Sequence, residues 1–136
     1  MNNRTADMVG THPVEPSLDG QLLSRVLTAL QECISICTLC ADACLHEPDV
    51  TELRVCITLN QDCAAVCQAT AEVLGRFAPA GVDVMAAQLR ACIDICNACA
   101  EECSRHAGHM RHCEVCAEAC RDCAAACTEA LDGLEA

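Results

Sequence analysis

Residues 33–44 read CISICTLCADAC, and residues 92–103 read CIDICNACAEEC. In both stretches cysteine recurs at steps of 4, 3 and 4, spacing that returns it to one face of an α-helix. Cys56, Cys63 and Cys67 repeat the pattern, with Asn60 filling the missing step. Cys113, Cys116, Cys120, Cys123 and Cys127 follow steps of 3, 4, 3 and 4. All sixteen cysteines of the chain therefore fall on a/d seams: Cys33, Cys37, Cys40 and Cys44 on a first helix, three on a second, Cys92, Cys96, Cys99 and Cys103 on a third, and five on a fourth. Charged residues (Glu32, Asp42, Asp62, Asp94, Glu101, Glu118 and Arg121) fall between the seam positions.

The rest of the chain supplies the breaks between these helices. The first is expected from about Leu18 to His46, and Pro48 in Glu47-Pro48-Asp49 prevents its continuation. Asp49, with Glu52 three residues on, has the pattern of a capping box for the second helix. That helix is expected to run to about Phe77 and to end at Ala78-Pro79-Ala80-Gly81. Asp83 is the expected N-cap of a third helix reaching about His106, with Gly108 in the left-handed position past its end. The fourth fills His109 or Met110 to about Asp132. Short links between helices of similar length make neighbours antiparallel. The expected fold is all-α, an antiparallel up-down-up-down four-helix bundle with a cysteine-lined core over residues 18–136. The polar residues 1–17 are expected to form a flexible N-terminal tail. The two opening stretches agree at seven of twelve positions, and DCAAVC (62–67) matches DCAAAC (122–127). The bundle thus reads as a duplicated helical hairpin. The copies differ at two seam positions, where Leu53 and Asn60 align with Cys113 and Cys120.

Composition narrows the function. A chain of 136 residues suggests one small domain. Eight Lys+Arg against twenty Asp+Glu leave a formal charge of −12, which argues against a nucleic-acid partner because phosphate needs a basic face. Phe77 is the one aromatic residue, so no stacking platform for bases or planar cofactors can form. Charged residues interrupt each apolar run before the roughly 20 residues that span a bilayer, so no membrane partner is expected. Residues 1–17 carry no apolar signal core, which points to a reducing cytoplasm. In that compartment a cysteine-rich chain suggests metal or redox chemistry rather than disulfides.

The cysteines occupy the C-terminal halves of the first and third helices and the N-terminal halves of the second and fourth. In an antiparallel bundle those halves share one end, giving a sulfur-lined tube about 20 Å long. Leu23, Val26, Leu27, Leu30, Val73, Leu74, Phe77, Val82, Leu89 and Leu131 are expected to plug the other end, with Met85 among them. His46, His106, His109 and His112 cluster around the open end. His106 and His109 continue seam registers and are candidate ligands at the mouth, followed by His112, whereas His46 reads as a solvated helix-end residue. Met110 is a weaker thioether candidate. Asn60 is either a satisfied core amide or an oxygen ligand among sulfurs.

A single buried cysteine is usually just a small hydrophobe, but sixteen on seams call for another explanation. Thiolates favour Cu(I), zinc and iron–sulfur clusters. Each cysteine that binds Cu(I) loses a proton and gains one positive charge, so filling near one ion per thiolate leaves the interior neutral. Four-cysteine zinc sites would each leave −2, and uncompensated buried ions cost several kcal/mol apiece. A zinc buffer remains an alternative. So does an iron–sulfur electron-transfer protein, since Cys37-x2-Cys40, Cys96-x2-Cys99 and Cys113-x2-Cys116 have ferredoxin-like pairs, although ferredoxin ligands come as C-x2-C-x2-C runs. A thiol redox enzyme would need a few exposed, low-pKa cysteines.

Helices of the form CxxxCxxCxxxC paired with CxxxC closely resemble the four-helix-bundle copper storage proteins, in particular their cytosolic branch. The likeness covers about residues 18–132. It implies a non-enzymatic cytoplasmic protein that binds many Cu(I) ions in thiolate-bridged clusters, for detoxification or copper supply. It also implies a homotetramer of such bundles, with histidines near the open end that help ions in. His106, His109 and His112 are the matching positions. A small copper chaperone is the expected delivery partner. The second helix departs from the pattern by carrying three cysteines.

Overall fold

The computed structural model describes residues 3–77 and 81–135. Four long helices follow a short one: α1 (Arg4–Thr11), α2 (Gly20–Leu45), α3 (Arg54–Leu74), α4 (Val82–His106) and α5 (Arg111–Glu135), with a 3-10 turn at Val50–Leu53 before α3. The cysteine steps set the facing of α2 to α5. Cys33 meets Cys63 across α2 and α3, Cys56 meets Cys103 and Cys67 meets Cys92 across α3 and α4, and Cys92 meets Cys127 across α4 and α5. Cys37 meets Cys116 across α2 and α5 and closes the ring. From Cys56–Cys103 to Cys67–Cys92, and from Cys37–Cys116 to Cys33–Cys120, one number rises as the other falls, so α3 and α4, and α2 and α5, are antiparallel, and the short links make the remaining neighbours so. The expected up-down-up-down bundle with a cysteine core is the observed one.

Several local expectations are corrected. Asp49 precedes the 3-10 turn, and its side chain makes no cap bond, so the capping box does not form. The tighter turn takes up the backbone instead, with Glu52 N–H donating to the Asp49 carbonyl. Gly81, at φ +81°, is the N-cap of α4, a conformation that glycine adopts readily, and Asp83 lies inside the first turn. Gly108 is not left-handed, because α4 leaves through α-turn and 3-10 bonds from the Met110 and His109 N–H groups to the His106 carbonyl. Helix α3 ends at Leu74, and the expected stop at Ala78-Pro79-Ala80 lies outside the described residues.

The segment read as a tail contains α1. Its first turn is capped by Asn3, whose Oδ1 accepts from the Ala6 N–H at 3.0 Å. Val9 packs against the core, and the His12 ring stacks on Phe77 with centroids 3.9 Å apart. Polar composition hid this helix because it has no buried residue of its own.

Hydrocarbon fills the end opposite the histidines. Leu23, Val26, Leu30, Leu74, Leu89 and Met85 are buried there, while Leu27, Val73, Phe77 and Leu131 pack around them. Val82, expected in this plug, is exposed because it opens α4 at the bundle's edge. Helix α2 has the length and mean hydropathy (1.4 over its most apolar stretch) of a segment that could cross a bilayer. Here its cysteine row faces three other helices. Leu89→Ala would leave a cavity in a layer with no solvent access, so it is expected to lower the unfolding free energy by about 2–5 kcal/mol, read from urea denaturation of the metal-free chain.

Candidate metal centre

All sixteen cysteines are free and buried, and fifteen of them have no exposed surface. The sulfurs stand in contact along the axis. Cys33 lies 3.8 Å from Cys37 and from Cys63. Cys37 lies 3.6 Å from Cys120, and Cys67 lies 3.8 Å from Cys92 and from Cys96. These separations are far beyond a disulfide bond of roughly 2.05 Å. They suit soft ions bridging neighbouring sulfurs.

The sulfurs form tetrads whose ligand atoms all lie within 4.8 Å of one another. Starting near the plug, Cys67, Cys92, Cys96 and Cys123 form one. Cys67 and Cys96 also belong to the next, with Cys33 and Cys63. Cys33 and Cys63 recur with Cys37 and Cys120, and those two recur with Cys99 and Cys116. Each tetrad thus shares an edge of two sulfurs with the next. Separate tetrahedral zinc sites need ligands of their own. Shared edges instead offer a continuous run of sulfurs that bridging ions could link.

A fifth group at the mouth joins Cys40, Cys44 and Cys113 to His112. His112 Nδ1 lies 3.5 Å from Cys40 Sγ and 3.6 Å from Cys113 Sγ, and its Nε2 lies 2.9 Å from Glu47 Oε2. Of the three candidate histidines, the one ranked last from the sequence is thus the one set directly on these thiols. His106 ends α4 and lies 3.0 Å, through Nε2, from Glu102 Oε2. His109 is exposed, its ring edge-on to His106. His46 is exposed and pairs with Asp42 on its own helix. Met110 is buried at the mouth.

Asn60 has no exposed surface and is fully partnered. Its Nδ2 donates to the Cys56 carbonyl at 2.9 Å, and its Oδ1 accepts from Cys116 at 2.9 Å and from Cys99 at 3.2 Å. The amide thus does a hydrogen-bonding job where a seventeenth thiol would otherwise stand, and its oxygen faces two sulfurs. Sequence reading missed Glu102 and Glu47. Glu102 is buried on α4, held between Arg105 and His106. A Glu-x-x-x-His step at 102–106 was the available signal for Glu102. Glu47 reaches His112 across 65 positions of sequence, and no local pattern announces it.

Burial governs the protons at the mouth. Desolvation, reinforced by the charge of Cys56, pushes the Cys44 thiol up to about 11, and the same two causes raise Cys113 further. Hydrogen bonds from Cys103 and Cys40 hold Cys56 well below the ordinary thiol range, down to about 3.

This architecture has relatives of known structure. The copper storage protein of Streptomyces lividans, Ccsp, loaded with 10 copper equivalents, is 46% identical and superposes with a TM-score of 0.92 over 95% of this chain and 98% of that one. A cytosolic copper storage protein from the same organism with five coppers is 50% identical, at a TM-score of 0.82 over 83% of this chain and 94% of that one. The Cu(I)-bound copper storage protein BsCsp3 is 32% identical, with a TM-score of 0.70 over 78% of this chain and 94% of that one. The cysteine-rich protein YhjQ of Bacillus subtilis is 34% identical over 107 residues, covering 79% of this chain and 94% of its own length. The family model for copper storage proteins matches residues 19–132, so the chain belongs to the copper storage protein family.

Proposed function

We infer that this protein is a cytosolic store for Cu(I), holding many ions on the thiolates inside its bundle, and that it is not an enzyme. The observation that carries this reading is the edge-sharing of successive sulfur tetrads, which suits bridged monovalent ions and does not suit isolated dications. The matching relatives with bound copper support it. Each arriving ion that replaces a thiol proton leaves the net charge of the buried interior unchanged, so filling adds no uncompensated charge. Capacity follows as about one ion per cysteine.

The histidine end is the side of uptake, with His106, His109 and His112 as the residues that receive ions before the thiols take them deeper by exchange. Asn60 Oδ1 is an added ligand beside Cys99 and Cys116. A homotetramer fits the resemblance, and the exposed Leu39, Leu45 and Val55 offer apolar surface for such a contact. A small copper chaperone is the delivery partner on this reading.

Anaerobic titration of the metal-free protein with Cu(I), against a chelator, is expected to saturate far above four ions per chain; saturation at four or fewer would reject the bridged array. A second measurement follows from the mouth thiols. Cys44 has an ordinary thiol value of 9.0 when unfolded and about 11 when folded. Its contribution to stability is therefore whole below its unfolded value and is lost as the pH rises through its folded value. The thermal midpoint of metal-free protein is expected to fall between pH 9 and 11, a window set by the same two values, while that of copper-filled protein stays level. A flat metal-free profile would mean that these thiols are not held neutral by the fold.

A further inference from the structure

The mouth of the column is one-sided. Leu53 and Met110 are buried there, so hydrocarbon covers part of it. Cys40 is the one cysteine with any exposed surface, 2%. It lies directly beneath His112 Nδ1. The side chains of His112 and Glu47 are themselves partly open to solvent, at 27% and 30%.

The two nitrogens of His112 face different chemistry. An ionised carboxylate only accepts, so the 2.9 Å contact to Glu47 Oε2 places the ring proton on Nε2. That leaves the Nδ1 lone pair turned toward Cys40 and Cys113. The carboxylate comes from the link between α2 and α3, whereas the histidine comes from α5. Glu47 is anchored there by its own N–H, which donates to the Cys44 carbonyl at 3.2 Å, and by Pro48, which stiffens the next step. His106 contrasts with this, since its carboxylate partner sits one turn back on the same helix.

We propose that Glu47 is a positioning residue for copper uptake: it clamps His112 from the neighbouring α2–α3 link so that Nδ1, together with Cys40, takes the arriving ion off the axis, on the α2/α5 side of the mouth. The proposal rests on the storage reading and adds the route. In the step itself, Cu(I) leaves its donor, a Cu–S bond forms at Cys40, the Cys40 S–H proton passes to water, and Nδ1 donates its lone pair to the same ion. Copper stays in the +1 state, and His112 keeps its Nε2 proton on Glu47. Cys44 and Cys113, in the same group, stand beside it at the mouth, and Cys37 and Cys116, of the adjoining tetrad, are the next sulfurs inward.

The test uses the full metal-free chain and a Cu(I)–bicinchoninate complex as donor, without oxygen. Removing an outer partner of a metal-binding histidine typically costs 10–100-fold, so Glu47→Ala is expected to slow initial transfer by about tenfold, while Glu47→Gln, which keeps an acceptor oxygen, stays within about twofold of the parent. Final capacity is expected to be unchanged in both. With 15N-labelled histidine, the first equivalent of copper is expected to shift His112 Nδ1 in the parent and in Glu47→Gln, and to divide between Nδ1 and Nε2 in Glu47→Ala, where the ring is free to turn. An unchanged rate in Glu47→Ala would overturn the proposal. So would a Glu47→Gln rate as low as that of Glu47→Ala, because charge and not position would then be at work. A first equivalent that perturbs Nε2, or no His112 resonance, would overturn it too. Failure of the storage reading shows elsewhere, as a low capacity of the parent protein.

Discussion

Contact between sulfur and sulfur on the bundle axis is the constraint from which the other features follow. A thiol is compact and only weakly polar, so it can be buried without a full set of hydrogen bonds. It also brings less apolar surface than leucine, and hydrophobic stabilisation scales with that surface. A bundle cored with cysteine along its length would be weakly held. The structure separates the two tasks along its axis. Leu23, Val26, Leu30, Leu74 and Leu89 concentrate the apolar burial at one end. The other end is left to sulfur, with small buried residues such as Ala41, Ala100, Ala117 and Ala124 beside it, which allow neighbouring helices to approach closely.

Such a column also gains from what it binds. A ligand that engages the folded state and not the unfolded one adds to stability by mass action. Here binding exchanges S–H for S–Cu on groups already in place, so little ordering is required at the moment of capture. Exchange of a proton for a monovalent ion adds no net charge, which keeps each step similar to the last, and this separates a reservoir from a single high-affinity site.

The seam positions were legible because they obey one rule repeated sixteen times, and tertiary packing had no reason to override it. The antiparallel order was legible for the same reason, through the placing of cysteine-rich halves on alternate helix ends. Helix termini were not. Asp49 and Glu52 satisfied a sequence pattern, yet the backbone there closed in a 3-10 turn that left the Asp49 side chain without a cap bond. Gly108 had a helix end beside it but no need for positive φ once two N–H groups shared the His106 carbonyl. Helix α1 was hidden because its support, Val9 against the core and His12 on Phe77, comes from residues distant in sequence. The same holds for the mouth. Register favoured His106 and His109 over His112, but register describes one helix, whereas the pairing of His112 with Glu47 depends on where the α2–α3 link passes over α5.

The lopsided mouth follows from the two positions of the α3 seam at which cysteine gives way to another residue. Had both halves carried cysteine throughout, thiols would ring the opening and no side would be preferred. Leu53, in place of the counterpart of Cys113, seals its sector with hydrocarbon, and Asn60, in place of the counterpart of Cys120, ties Cys56, Cys99 and Cys116 together just below. The remaining open sector is the one between α2 and α5, where Cys40 has its trace of exposure. On the proposed route, a soft ion arriving there meets an imidazole nitrogen before it meets the enclosed array. Two residues other than cysteine in an otherwise repetitive seam therefore give the mouth a preferred side.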